Sequence, residues 1–220
     1  MRPINPDRRI RRAVSIFLLV LVGVLAGCVQ GQGPVTIETR EVGAFSRIEA
    51  SAGIRVVVRV GPSKAIEVTA QENLLAVIAT DVRGDTLSIE ASEDFTTLEP
   101  VTVTVVVPAL DGITLSGGSQ AVIDGLDAES LELRIRGGAQ VTAAGTVGSV
   151  TLHADGGATA SLEDLSVRVA TVSMDGGATA TLTASDDVTG TAAGGARLTV
   201  LGDAVLSVEE SGGSEVARGG

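Results

Sequence analysis

The sequence predicts an all-β chain wound as a right-handed parallel β-helix, a solenoid with turns of about 19 residues marked by Gly-Gly corners. Three observations carry this reading. Glycine pairs stand at Gly117-Gly118, Gly137-Gly138, Gly156-Gly157, Gly176-Gly177, Gly194-Gly195 and Gly212-Gly213, at intervals of 20, 19, 20, 18 and 18 residues. Each pair lies between short apolar alternations of period two, the pattern of strands with one buried face. Two units nearly repeat: DGGATASL from Asp155 and DGGATATL from Asp175 differ only at Ser161 against Thr181. The expected hand follows the general preference for right-handed parallel connections.

From the N-terminus, Arg2, Arg8, Arg9, Arg11 and Arg12 form a basic block, followed by an apolar run from Ala13 to Ala26. A basic region, an apolar stretch and small residues at its end are the parts of an export signal. The run is too short for a membrane span, which takes roughly 20 apolar residues. Leu25-Ala26-Gly27-Cys28 resembles the lipobox of bacterial lipoproteins, in which the cysteine thiol is acylated and the chain is cut just before it. Cys28 is the one cysteine of the sequence, and an unpaired thiol outside the cell is a liability that acylation removes. Residues 1–27 are therefore expected to be a lipoprotein signal peptide, with Cys28 the lipidation site. An ordinary cleaved signal with an incidental cysteine is the alternative. Val29, not an aspartate, follows the cysteine, which favours the outer membrane if the cell has one. Residues 28–34, ending in VQGQGP, read as a short lipidated tether.

Residues 35–108 alternate with period two over Phe45 to Ala50, Ile54 to Val60, Ile66 to Ala70, Thr86 to Ala91 and Val101 to Val107. Glu72 to Thr80 (ENLLAVIAT) is the one helical candidate, or else an irregular strand. Arg83-Gly84-Asp85 spells an integrin-binding tripeptide, but Gly84-Asp85 between two apolar alternations is a hairpin turn. This region reads either as wider solenoid turns or as a β cap on the N-terminal end of the coil, continuous with the regular repeats of residues 109–218.

In the ladder, Leu131 to Ile135 precedes one glycine pair and Ala139 to Ala143 follows it, with Ala, Val and Leu inward and Thr, Ser or charge outward. Corners need positive φ or close stacking of backbones, and glycine supplies both without strain. The rival is an RTX-type calcium loop, which needs a third glycine in G-G-x-G-x-D. The pairs here read GGSQ, GGAQ, GGAT, GGAT, GGAR and GGSE, and all lack it. Asp155 and Asp175 could stack, but two carboxylates make a weak site for a cation that takes six to eight oxygens. No metal, cofactor or catalytic residue is expected.

Composition excludes several functions. The net charge is −11; removing residues 1–27 deletes five arginines and Asp7 and leaves −15, which argues against nucleic-acid partners. The single histidine, His153, lies between Leu152 and Ala154 and so faces out of a strand. A cysteine nucleophile and a zinc site lack residues. Aromatic residues make up 1% of the chain, so a glycan-cleaving β-helix with stacking platforms is disfavoured. Asp124, Asp127 and Glu129, or Glu163 and Asp164, sit in polar turns and read as solvated.

FSRIEASAGIRVVVRVG from Phe45, GDTLSIEA from Gly84, VTVTVVVPALDGITLSGGSQAVIDG from Val101 and the GGA repeats together resemble the bacterial autotransporter-adhesin head domain, the GIN domain. The resemblance spans roughly residues 42–218 and implies a right-handed β-helix on an exported, often lipid-anchored protein, with no catalytic residues. With seven residues after Gly213, no β-barrel translocator is expected in the chain. The expected protein is non-enzymatic, held to the membrane through Cys28, and offers its surface to an envelope protein or a polysaccharide. Self-association at the C-terminal end, Val205 to Val216, is a further expectation, opposed by the charges of Glu209, Glu210, Glu215 and Arg218.

Overall fold

The computed structural model describes residues 28–219, so the expected signal peptide lies outside the described residues. The described chain is a β-solenoid of about five turns. In chain order its strands are β1 (Val29–Gln30), β2 (Val35–Arg40), β3 (Arg47–Ala50), β4 (Arg55–Val60), β5 (Ala65–Gln71), β6 (Ile78–Arg83), β7 (Thr86–Ala91), β8 (Phe95–Thr96) and β9 (Thr102–Val107). They continue with β10 (Gly112–Leu115), β11 (Gln120–Gly137), β12 (Gln140–Gly156), β13 (Thr159–Met174), β14 (Thr179–Ala192), β15 (Arg197–Leu201), β16 (Val205–Glu210) and β17 (Glu215–Arg218). Among the described residues no helix is long and apolar enough to cross a membrane.

β11 to β14 each run from one glycine pair to the next, bending around the coil as single long strands where the sequence suggested separate short ones. A first side precedes each pair, a second side follows it, and a third side joins them. All pairings within the ladder are parallel, with like residues in register: Leu133, Leu152 and Val172 stack on the first side, and Val141, Ala160, Ala180 and Leu198 on the second. The inward residues form one buried cluster from Phe45 to Ala204. At roughly 0.8 kcal/mol per buried methylene, such a stack is the main favourable contribution to the fold.

The first glycine of all six pairs has positive φ, from 59 to 72°. The second does so only at Gly118, Gly195 and Gly213. Gly138, Gly157 and Gly177 have ordinary backbones, and a methyl at Gly138 would meet nothing within 4 Å. Positive φ thus falls on the first glycine of every pair and on the second of only three. The most confined glycines are unpaired: at Gly145 (φ 134°) and Gly190 (φ 133°), a methyl would overlap the carbonyl oxygens of Leu126 and Val172 in the preceding turn.

Residues 35–108 combine parallel turns with antiparallel strands. β3 and β4 form one turn, cornered at Ala52-Gly53, which stacks in parallel on the ladder, and β7 and β9 form another, which stacks in parallel on β3 and β4. Beyond them the coil is closed by antiparallel strands, β6 against β7, β5 against β9, and β2 against β5. The turn stacked directly on β10 and β11 comes from β3 and β4, so the chain passes over it between β9 and β10.

Glu72 to Thr80 is not a two-turn helix. A single 3-10 turn, Glu72–Leu74, is followed by Leu75 and Val77, and Ile78 enters β6. Leu74, Leu75, Val77 and Ile78 are buried, so the segment plugs the end of the coil, and Ile78 already pairs with Ala91 in the β6–β7 hairpin. Gly84-Asp85 is the turn of the β6–β7 hairpin. The stretch expected to be a tether is held to the body: Val29–Gln30 pairs with Phe95–Thr96, and the Gln32 amide donates to Asn73 Oδ1 at 2.6 Å.

Candidate functional site: a groove along the third side

The third side is where successive turns differ most. Through the Gly176–Gly194 interval the repeat shortens from 20 to 18 residues. The register shows where the residues are lost: Leu162 pairs with Leu182, but the next aligned pair is Ser166 with Thr183. Glu163, Asp164 and Leu165 have no counterpart in the following turn, while Ser185 and Asp186 stand opposite the single Arg168, a net step of two residues on the third side.

Beside this step a groove of about 540 Å³ runs along the coil axis over four turns. Its floor is Val147, Val167 and Ala184, which are stacked in register and buried. One wall is a ladder of hydroxyls, Thr146, Ser166 and Thr183, also in register. The other carries Gly148, Arg168 and Ser185, with Gly202 and Asp203 at the far end. The Thr183 hydroxyl donates to the Glu163 carbonyl at 2.7 Å and can still accept. Arg168 Nη1 lies 3.4 Å from Asp186 Oδ2, which leaves most of its five N–H donors unused by that contact. The only acid lining the groove is Asp203, so it holds no pair of carboxylates for acid–base work.

A second polar cluster lies on the first side, at the junction of the out-of-order turn and the ladder. Arg47 Nη1 donates to Glu132 Oε2 at 2.7 Å, and Arg134 Nε donates to Glu132 Oε1 at 2.7 Å. The bond from Arg47 is the largest cause holding the Glu132 carboxyl below the usual carboxylate range, with that from Arg134 next. The same bond raises the Arg47 guanidinium above its ordinary value. The ion pair spans the intervening β10 at Gly112, where a methyl would meet Arg47 Nη1 and the Glu132 carbonyl oxygen at 3.0 Å. This is a clamp between layers, with no cavity in front of it.

The residues singled out in the sequence fall as follows. Cys28 is exposed, next to β1. His153 is half-buried on the outer face of the first side, between Arg134 and Ser173 in register, away from the groove. Asp155 faces Arg136, Oδ2 to Nε 3.7 Å, and Asp175 accepts from the Gly176 amide at 2.6 Å. Among the described residues no three His, Cys, Asp or Glu side chains group as metal ligands. At the C-terminal end the Val216 amide donates to Glu210 Oε2, and Arg218 donates to the carbonyls of Gly202 and Ala204. Side chains thus occupy edge groups that a further strand would use.

Sequence reasoning missed the groove. Its one legible signal was the fall of the glycine interval to 18, which says that turns narrow but not on which side.

The described chain is thus a parallel β-solenoid with a hydroxyl-edged groove on its third side. More narrowly, the chain belongs to the family described as "putative auto-transporter adhesin, head GIN domain", whose model matches residues 44–204. Solved structures share the fold at low identity. An adhesin-like protein of Bacteroides fragilis aligns with TM-score 0.71 and 16% identity, covering 86% of this chain and 99% of its own. A protein of Parabacteroides distasonis described as lipid-binding aligns with TM-score 0.55 and 13% identity, covering 88% of this chain and 100% of its own. No curated protein matches the sequence.

Proposed function

We propose that this is a non-enzymatic cell-envelope protein, anchored by a lipid on Cys28, whose rigid solenoid offers a binding or adhesion surface. The observation that carries the reading is the third-side groove: a concave, preformed surface with an apolar floor and polar rims. Its volume lies within the range of small-ligand sites, and its residues sit on stacked strands. Family membership supports an exported, adhesin-like role. Pinning of Val29–Gln30 against Phe95–Thr96 supports the anchor, because it keeps Cys28 at the capped end of the coil, near the fully exposed Leu98.

Two measurements test this. Expressed in a lipoprotein-processing bacterium, the chain should incorporate labelled fatty acid and sediment with membranes, and Cys28→Ala should lose both. A labelled, soluble Cys28→Ala protein would instead rule out the anchor. A pull-down from envelope extract, with a glycan screen alongside, tests the surface. Retention of a defined envelope protein and no glycan would make the protein a structural or sensing component, and the adhesin reading would be dropped.

A further inference from the structure

We propose that the third-side groove binds a neutral, extended polysaccharide lying along the coil axis; this rests on the surface-binding reading above. Three features of the groove select this class of ligand.

The first is periodicity. Thr146, Ser166 and Thr183 stand one above another, one per turn. Parallel strands repeat at about 4.8 Å, close to the length of one pyranose in an extended glycan. A polymer laid across the strands therefore meets an equivalent hydroxyl at each successive sugar. A peptide pairing with the sheet edge or running along a strand would not use this repeat.

The second is the chemistry of the walls. Above the buried Val147, Val167 and Ala184, the exposed surface is made by Thr146, Ser166, Thr183 and the stem of Arg168, whose carbon atoms meet the C–H faces of sugar rings in a groove without aromatic platforms. The hydroxyls of Thr146 and Ser166 and the unused donors of Arg168 face the hydroxyls of a glycan. An acyl chain would cover these groups without giving them partners, which is costly.

The third is charge. One cation, Arg168, stands beside two carboxylates, Asp186 and Asp203, in a chain of net charge −11. An anionic uronan would be repelled, and a neutral glycan would not.

The test is calorimetric titration of the full chain in detergent with β1,4-linked glucan and mannan oligosaccharides of increasing length, and with polygalacturonate. Affinity for a neutral series should rise with length until the groove is filled and then level off. Ser166→Trp, which fills the groove, should weaken binding at least tenfold, and so should Arg168→Ala, which removes its cationic donors without filling it. Thr199→Trp, outward on the second side, should leave binding unchanged. Circular dichroism confirms that each variant is folded, and Arg168→Ala decides the matter if Ser166→Trp is not. Tighter binding of polygalacturonate, or no binding of either neutral series, overturns the proposal. Neutral glycan binding that survives both groove variants also overturns it, while leaving the broader surface-binding reading standing.

Discussion

The N-terminal block and the ladder bury the same kind of inner face by different means. In the ladder, the first inward residue after each of four corners is small: Ala139, Ala158, Ala178 and Ala196 are fully buried. The corresponding position in the block is Ile54, followed inward by Val56 and Val58. An alanine removes less apolar area from water than an isoleucine, and each ladder turn buries its inner face only by stacking on its neighbours. The block adds larger side chains, antiparallel strands and the plug of Leu74, Leu75 and Val77. A solenoid can therefore be regular where neighbours supply the contacts, and must become irregular where one neighbour is missing.

The largest expected effect breaks the ladder. Gly190→Ala sets a methyl against the Val172 carbonyl at φ 133° and should cost about 4 kcal/mol in urea denaturation. Gly138→Ala, at a corner with ordinary φ and open space, should change stability by less than about 0.5 kcal/mol. Equal losses at the two positions would mean that corners, and not close stacking between turns, limit the ladder.

Breaking the cap comes next. Ile66→Ala in β5 leaves a cavity and should cost about 3 kcal/mol. Hydrogen exchange should then show β5, β6 and the plug opening before the ladder. In Gly190→Ala the turns after Val188 should open first.

Two smaller effects sharpen the junction. Ser119 follows the first glycine pair; its buried Oγ lacks a hydrogen-bond partner, and the next turns carry alanine there. Ser119→Ala should therefore stabilise by about 1 kcal/mol, read as a higher denaturation midpoint. Glu132→Gln unlocks the clamp to Arg47 and, with both side chains partly exposed, should cost under about 1 kcal/mol. The folded-state carboxyl is lowered, so its stabilisation is present above the ordinary glutamate range and fades as pH falls through the lowered value. Stability of Glu132→Gln should converge with that of the parent on acidification. A gap that stays constant with pH would show that the clamp is not ionic.

The sequence by itself determined the solenoid, its corners and the inward face of each strand. These are properties of period and of glycine, legible because every ladder turn repeats the same local rule. It also placed the Gly84-Asp85 hairpin and the outward His153, each set by residues a few positions away. Tertiary structure alone decided that β3 and β4 stack beneath a turn that follows them much later in the chain. Nothing local encodes which of several similar apolar strands becomes the neighbour. It likewise turned ENLLAVIAT into a plug that runs into a strand, because Ile78 to Thr80 pair with Ile89 to Ala91 across the β6–β7 hairpin. The groove is of the same kind. The sequence holds the shortened interval, but only the stacked register assigns the missing residues to the third side, where Thr146, Ser166 and Thr183 fall into line.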